Sequence, residues 1–211
     1  MEHVLNAFES NSNGSSRKII RKIRQWLRPL TFPAPVGIGA LGGRGSRIAF
    51  PRSITNPQRI FIGSGTCIKR FSVINAICSH GGRRYEPCLK IGDDVYIGGG
   101  AFIMCANYIE IRDGCVISEQ VYLADNMHGL KPNNGLIMDQ ELECKGPVIL
   151  GRSCFLGVRV SVLPNVELGD FCVVGAHSVV NRSFPAYSMI AGAPARLIKR
   201  YDPSESQWKL V

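Results

Sequence analysis

Apolar residues recur at every sixth position along most of this chain. From Leu150 they fall at Leu150, Leu156, Val162, Leu168, Val174 and Val180 without a slip. Two residues before each stands a small or branched residue: Val148, Cys154, Val160, Val166, Cys172 and Ser178. Residues two apart on a strand face the same side. Each pair therefore predicts a short strand with two inward side chains, and the residues between pairs must turn a corner. Upstream the rhythm returns in three blocks: Ile62, Ile68 and Ile74; Ile91, Ile97 and Ile103; Ile111, Ile117 and Leu123. Together these make fifteen hexads, or five coils of three strands. Gly or an acid often follows the apolar residue, as in Ile91-Gly92-Asp93 and Leu168-Gly169-Asp170. A strict period of six predicts a parallel β-helix solenoid. A β-sandwich would instead show turn signals about every 8–12 residues.

The rhythm also marks where the chain departs from it. Residues 1–16 are rich in Asn, Ser and Gly and read as disordered. A basic helix to about Arg28 and a Pro/Gly-rich connector fill 17–45, and the solenoid spans 46–184 with an irregular first coil around Ile48 to Ile60. Three interruptions break it: Asn75 to Lys90, a two-residue slip at Cys105 to Glu110, and a long loop over 124–147. The tail, 185–211, carries Pro185, Gly192 and Pro194; it is expected to end the repeat and fold back over the last coils, with a short helix at its end. Insertions in solenoids gather on the binding face, so the long loop is the first place to look for chemistry.

Composition narrows the classes. A chain of 211 residues suits one domain. No apolar run approaches the ~20 residues of a membrane span, and no signal-peptide core precedes the solenoid, which points to a cytoplasmic protein. Of the eight cysteines, Cys115, Cys154 and Cys172 occupy inward hexad positions as compact hydrophobes. No Cys-x-x-Cys pair suggests zinc, and a reducing compartment disfavours disulfides. The net charge of +9 is concentrated in Arg17, Lys18, Arg21, Lys22, Arg24 and Arg28. Ile20, Ile23 and Leu27 recur among them at helical spacing. Such a helix can cap the open end of a solenoid, lie on an anionic membrane surface, or do both. No aromatic-rich basic motif accompanies it, which argues against nucleic acid.

His128, in Ala124-Asp-Asn-Met-His-Gly129, lies just past a regular strand of its coil. A histidine held there can act as a general base near neutral pH. His177 lies in a turn and reads as an exposed corner, His80 sits beside Gly81-Gly82-Arg83-Arg84 in the first interruption, and His3 lies in the N-terminal tail.

Over about residues 60–200, and most specifically from Leu123 to Lys199, the chain resembles the hexapeptide-repeat acyltransferases, in the branch of galactoside and maltose O-acetyltransferases and surface-polysaccharide O-acetyltransferases. The resemblance rests on Leu168-Gly-Asp-Phe-Cys-Val-Val-Gly-Ala-His-Ser-Val-Val180 and on Ala191-Gly-Ala-Pro-Ala-Arg-Leu-Ile-Lys199. It implies an all-β, left-handed parallel β-helix, a homotrimer with sites between subunits, and acetyl-CoA as co-substrate, with no metal expected. It implies that His128, five residues past Leu123, removes the proton of an acceptor hydroxyl on a sugar or polysaccharide precursor. Asp125, Asp139, Glu141, Glu143 or a backbone carbonyl could orient the imidazole. The coenzyme wall carried over by position is Val158, Ala176, Asn181, Arg182, Arg196 and Lys199, the three basic residues meeting the nucleotide phosphates. Val158 stands where Gly or Ser is common, Asn181-Arg182 where Thr-Lys is common, and Leu136 where an acid often follows the loop glycine. The rival readings are N-acetylation of a nucleotide-linked amino sugar, a zinc carbonic anhydrase on the same fold, which would need three histidine ligands, and a non-catalytic β-helix that binds a partner.

Overall fold

The structure, a computed structural model, describes residues 31–33 and 43–211. The chain divides into two units, 1–31 and 32–211, and the account below concerns the second. The N-terminal tail and the basic stretch 17–28 lie outside the described residues.

The hexads fold as a three-faced left-handed solenoid. Face one stacks Arg47–Ala49, Cys67–Ile68, Tyr96–Ile97, Val116–Ile117, Phe155–Leu156, Val173–Val174 and Ser188–Ala191 in parallel. Face two stacks Ser53–Thr55, Val73–Ala76, Phe102–Cys105, Tyr122–Ala124, Ser161–Val162 and Val179–Val180. Face three stacks Ile60–Ile62, Cys88–Ile91, Tyr108–Ile111, Val148–Leu150 and Val166–Leu168. Register follows the hexad index: Ile97 lies over Ile117, then Leu156, Val174 and Ile190. These ladders form one continuous buried core. The coil around Ile48 to Ile60, expected to be irregular, supplies one strand to each face.

The polar and thiol residues at inward small positions do a second job. Cys115, Cys154 and Cys172 are buried, and their thiols donate to the carbonyls of Gly151, Gly169 and Pro185 at 3.0–3.2 Å. Ser46, Thr66 and Ser188, in the same column, donate their hydroxyls to Gly63, Gly92 and Pro185. The column thus satisfies corner carbonyls that would otherwise be buried unpaired. The Gly-Asp corners work from outside. Asp93 accepts the Ser64 N–H at 2.6 Å, Asp113 the Asp93 N–H at 2.9 Å and Asp170 the Arg152 N–H at 2.7 Å, tying each coil to the one before.

The tail corrects one expectation. In place of a short helix, Arg196–Asp202 runs antiparallel to Ser188–Ala191, and Gln207–Leu210 pairs with Arg196–Asp202 in turn. Ser188–Ala191 continues face one four residues beyond Ser183-Phe184, and its free edge offers backbone groups that a helix would leave unpaired. Stacked rings anchor this hairpin: Phe171 on Tyr187, Tyr187 on Tyr201, and Tyr201 against Trp208.

Candidate active site

Both large interruptions leave the solenoid at the edge that follows face two, and both fold as antiparallel hairpins. Ser79–His80 pairs with Arg83–Arg84, and Met127–His128 pairs with Leu142–Glu143. The hairpins are locked to each other. The Tyr85 hydroxyl accepts the Leu142 N–H at 2.7 Å, and Arg83 meets Glu141 at 3.1 Å. Tyr85, Ala106 and Leu142 form a second small core with Ile77 packed against it. Gly81 adopts φ +55° and passes so close to Gln140 that a Cβ would lie 2.5 Å from its carbonyl. Only glycine satisfies both the left-handed backbone and that approach.

This docking brings His80 and His128 together. Their ring centroids are 5.1 Å apart, edge to face at 64°. His128 is exposed, whereas His80 Nε2 is buried with no hydrogen-bond partner. A cavity of about 280 Å³ opens between the hairpins and face two, lined by both histidines, Met104, Tyr122, Asn126 and Leu142. A larger polar cleft of about 650 Å³ runs along the same hairpins past Arg83, Lys131, Asn134, Asp139 and Glu143. Beyond it the loop ends in an exposed apolar tip, Leu130 and Leu136 to Met138.

Asp125 has a different role from the one expected of it. Its fully buried carboxylate accepts the N–H groups of Ala106 and Asn107 and the Asn126 amide, each at 2.8 Å. The two-residue slip at Cys105 to Glu110 thus presents two backbone donors, and the base of the long loop supplies their acceptor. Burial, with Asp125 adding to it, pushes the Cys105 thiol far above its usual range and raises the Tyr122 hydroxyl. Cys105 is therefore a neutral packing thiol rather than a nucleophile. The other acids also face elsewhere. Glu141 pairs with Arg83, Glu143 lies 3.7 Å from Lys145, and Asp139 sits on the exposed turn Ile137–Asp139. No Asp or Glu hydrogen-bonds His128 among the described residues. His80 was legible only as a histidine in an interruption; nothing in its spacing signalled the meeting with a residue 48 positions away.

Five of the six residues of the expected coenzyme wall divide between two edges. Asn181 and Arg182 follow Val180, which stacks through Val162 on Leu123. They therefore stand on the edge that bears His128, two coils away, or roughly 10 Å at about 4.8 Å per coil. Both are exposed, and Arg182 lies over the Phe184 ring at 5.0 Å. Val158 and Ala176 stand at the other end of face two, stacked through the His177 N–H to Val158 carbonyl bond of 2.8 Å. The Val179 N–H bonds the Gly192 carbonyl and the Ala195 N–H bonds the Val179 carbonyl, which brings Arg196 toward that edge. Lys199 lies further along the tail strand, opposite Met189. His177 is an exposed left-handed corner residue, φ 57°. Among the described residues no group of three His, Cys, Asp or Glu could hold a metal ion, and no helix is long and apolar enough to cross a membrane.

Repeat, fold and loop site define a β-helix with a histidine-bearing hairpin on one edge. Residues 147–182 match the bacterial transferase hexapeptide family (six repeats), and residues 89–123 match the hexapeptide repeat of succinyl-transferase. Both stretches carry the hexapeptide repeat of these transferases. The chain is 37% identical over 117 residues to a "Probable acetyltransferase" of Mycobacterium tuberculosis, covering 56% of this chain and 39% of that protein. It is 31% identical over 125 residues to the "Putative lipopolysaccharide biosynthesis O-acetyl transferase WbbJ" of Escherichia coli, covering 56% of this chain and 63% of that one. The chain thus spans less than two thirds of the length of these curated relatives. Among solved structures, the N-acyltransferase AntD of Bacillus cereus superposes with a TM-score of 0.65 at 21% identity, covering 80% of this chain and 86% of AntD. A hexapeptide-repeat-containing acetyltransferase of Vibrio cholerae superposes with a TM-score of 0.55 at 17% identity, covering 95% and 88%. Both share the fold described above.

Proposed function

We propose that this protein is an acetyl-CoA-dependent O-acetyltransferase acting on a hydroxyl of a sugar or polysaccharide precursor, with His128 as general base. The observation that carries this reading is the exposed His128 imidazole, held on a locked hairpin at the mouth of a cavity. A sugar hydroxyl is a weak nucleophile at neutral pH, and a positioned imidazole supplies the missing basicity. The acceptor O–H proton passes to His128 as the oxygen attacks the thioester carbonyl carbon. A backbone N–H on the coil wall stabilises the tetrahedral oxyanion. The C–S bond then breaks, and the departing coenzyme thiolate takes the proton back from the imidazolium. Val158 and Ala176 would leave room for the pantetheine chain, and Asn181, Arg182, Arg196 and Lys199 would meet polar and phosphate groups.

Support comes from the relatives' names and from the neighbours' contents. The Vibrio cholerae protein was crystallised with acetyl coenzyme A, and AntD with dTDP and 3-hydroxybutyryl-CoA. Because the proposed wall lies on two edges of the solenoid, we place the working site between copies of a homotrimer, His128 of one copy facing Val158 and Ala176 of the next. A cytoplasmic enzyme, with residues 17–28 touching the inner membrane surface, would meet lipid-linked or nucleotide-linked acceptors. AntD gives the second reading, N-acylation of a nucleotide-linked amino sugar.

Calorimetric titration with acetyl-CoA, followed by turnover against sugar and amino-sugar acceptors, tests the proposal. His128→Ala should bind acetyl-CoA as the wild type does while transfer falls by about 10²–10⁴. Undiminished transfer removes the base, and absence of binding by folded wild type removes the enzyme.

A further inference from the structure

None of the acids expected to orient His128 hydrogen-bonds it, yet one polar side chain lies against its ring. We propose that His80 is the positioning residue of this site: its neutral imidazole accepts an N–H of His128 at Nε2. His128 is thereby held in the tautomer that presents its other nitrogen to the acceptor. The inference rests on the reading of His128 as the base.

Three observations carry it. First, the separation fits: a centroid distance of 5.1 Å is one linear N–H···N bond of about 2.9 Å plus the two ring radii. The rings now meet edge to face, so rotation of the exposed His128 ring about its broad χ2 torsion completes the bond. Second, His80 Nε2 is buried and unpartnered. A buried polar atom without a bond is destabilising, and such atoms are rare in native structures. Third, the hairpin that bears His80 is fixed against its neighbour. The Tyr85–Leu142 bond, the Arg83–Glu141 pair and the Gly81–Gln140 approach all fix its hairpin to the one that bears His128. A second group that fixes tautomer and ring plane is what a catalytic histidine needs. A neutral imidazole does this without placing a full negative charge in the cavity.

The test compares His80→Phe, which keeps a flat ring but no nitrogen, with His80→Gln, which keeps an acceptor. Side-chain ¹⁵N spectra give the tautomer of His128, its signal assigned by its loss in His128→Ala. One dominant tautomer is expected in the wild type and in His80→Gln, and a mixture in His80→Phe. Turnover should follow: kcat lower by about tenfold in His80→Phe and within about threefold of wild type in His80→Gln, with acetyl-CoA affinity unchanged in both. Wild-type turnover by His80→Phe, or loss in His80→Gln equal to that in His80→Phe, makes the contact mere packing. Should His80→Phe fail to fold, an even tautomer mixture in wild-type protein overturns the proposal unaided. The spectra read His128 whether or not any acceptor is found, so a protein with a fixed tautomer but no acetyl-CoA binding would sink the acetyltransferase reading and spare the contact.

Discussion

At the scale of single residues, the decisive chemistry lies in groups the repeat does not index. Asp125 is the clearest case. It stands two residues past Leu123 and looks like a partner for the nearby histidine, but its carboxylate spends its bonds on the backbone of the slip at Ala106 and Asn107. Asp125→Ala would strand the buried Ala106 N–H, at about 1–3 kcal/mol when unpaired, and would take the acceptor from the part-buried Asn107 N–H and the Asn126 amide as well. Denaturant unfolding should show a loss of about 2–5 kcal/mol at unchanged m-value. A loss below about 1 kcal/mol would mean that water replaces the carboxylate.

At the scale of elements, the solenoid is a wall and the two hairpins are the apparatus mounted on it. Their mutual docking has few contacts, and each is specific. Gly81→Val meets both a left-handed backbone and the Gln140 carbonyl, so the hairpins must part. Because the stacked core lies outside this junction, unfolding of the solenoid should shift by under about 1 kcal/mol. Limited proteolysis in 129–139 should quicken and turnover should fall at least tenfold. Unchanged proteolysis would show that the hairpins hold without the close approach. The tail hairpin has its own electrostatics. Lys209 and the turn hydroxyl and N–H of Ser204 hold Asp202 well below the usual carboxylate range. A depressed folded value contributes stability that is fully present above the ordinary carboxylate pKa and is lost as pH falls from there through the depressed value, so this turn keeps its contribution down to the ordinary carboxylate range.

At the scale of the whole molecule, the proposed wall residues lie on two edges of one prism, and only Asn181 and Arg182 share the edge of His128. A site built between copies predicts complementation. Chains carrying His128→Ala and chains carrying Val158→Trp, each inactive alone, should regain activity when coexpressed, because some mixed junctions then pair an intact base with an intact wall. No recovery in a verified mixed oligomer would put base and wall within one chain.

The sequence by itself determined the coils. A period of six is a local instruction: each hexad specifies one strand and one corner, and identical instructions stack in register because only that register buries every Ile, Leu and Val. The three interruptions were legible for the same reason, as places where the count fails. The contents of the interruptions were not. Hairpin 79–84 carries no pattern that names its neighbour, and the meeting of His80 with His128 exists only because stacking brings successive coils to one edge. The tail shows the same limit. Its end was expected as a helix, but Arg196–Asp202, itself paired on Ser188–Ala191, offers an open edge, and Gln207–Leu210 pairs there as a strand. Only the tertiary structure set Asp125 on the slip, put Asn181 and Arg182 on one edge and Val158 and Ala176 on another, and placed the unpaired His80 Nε2 beside His128. Each of these depends on which distant segments share an edge, and a repeating local code does not specify that.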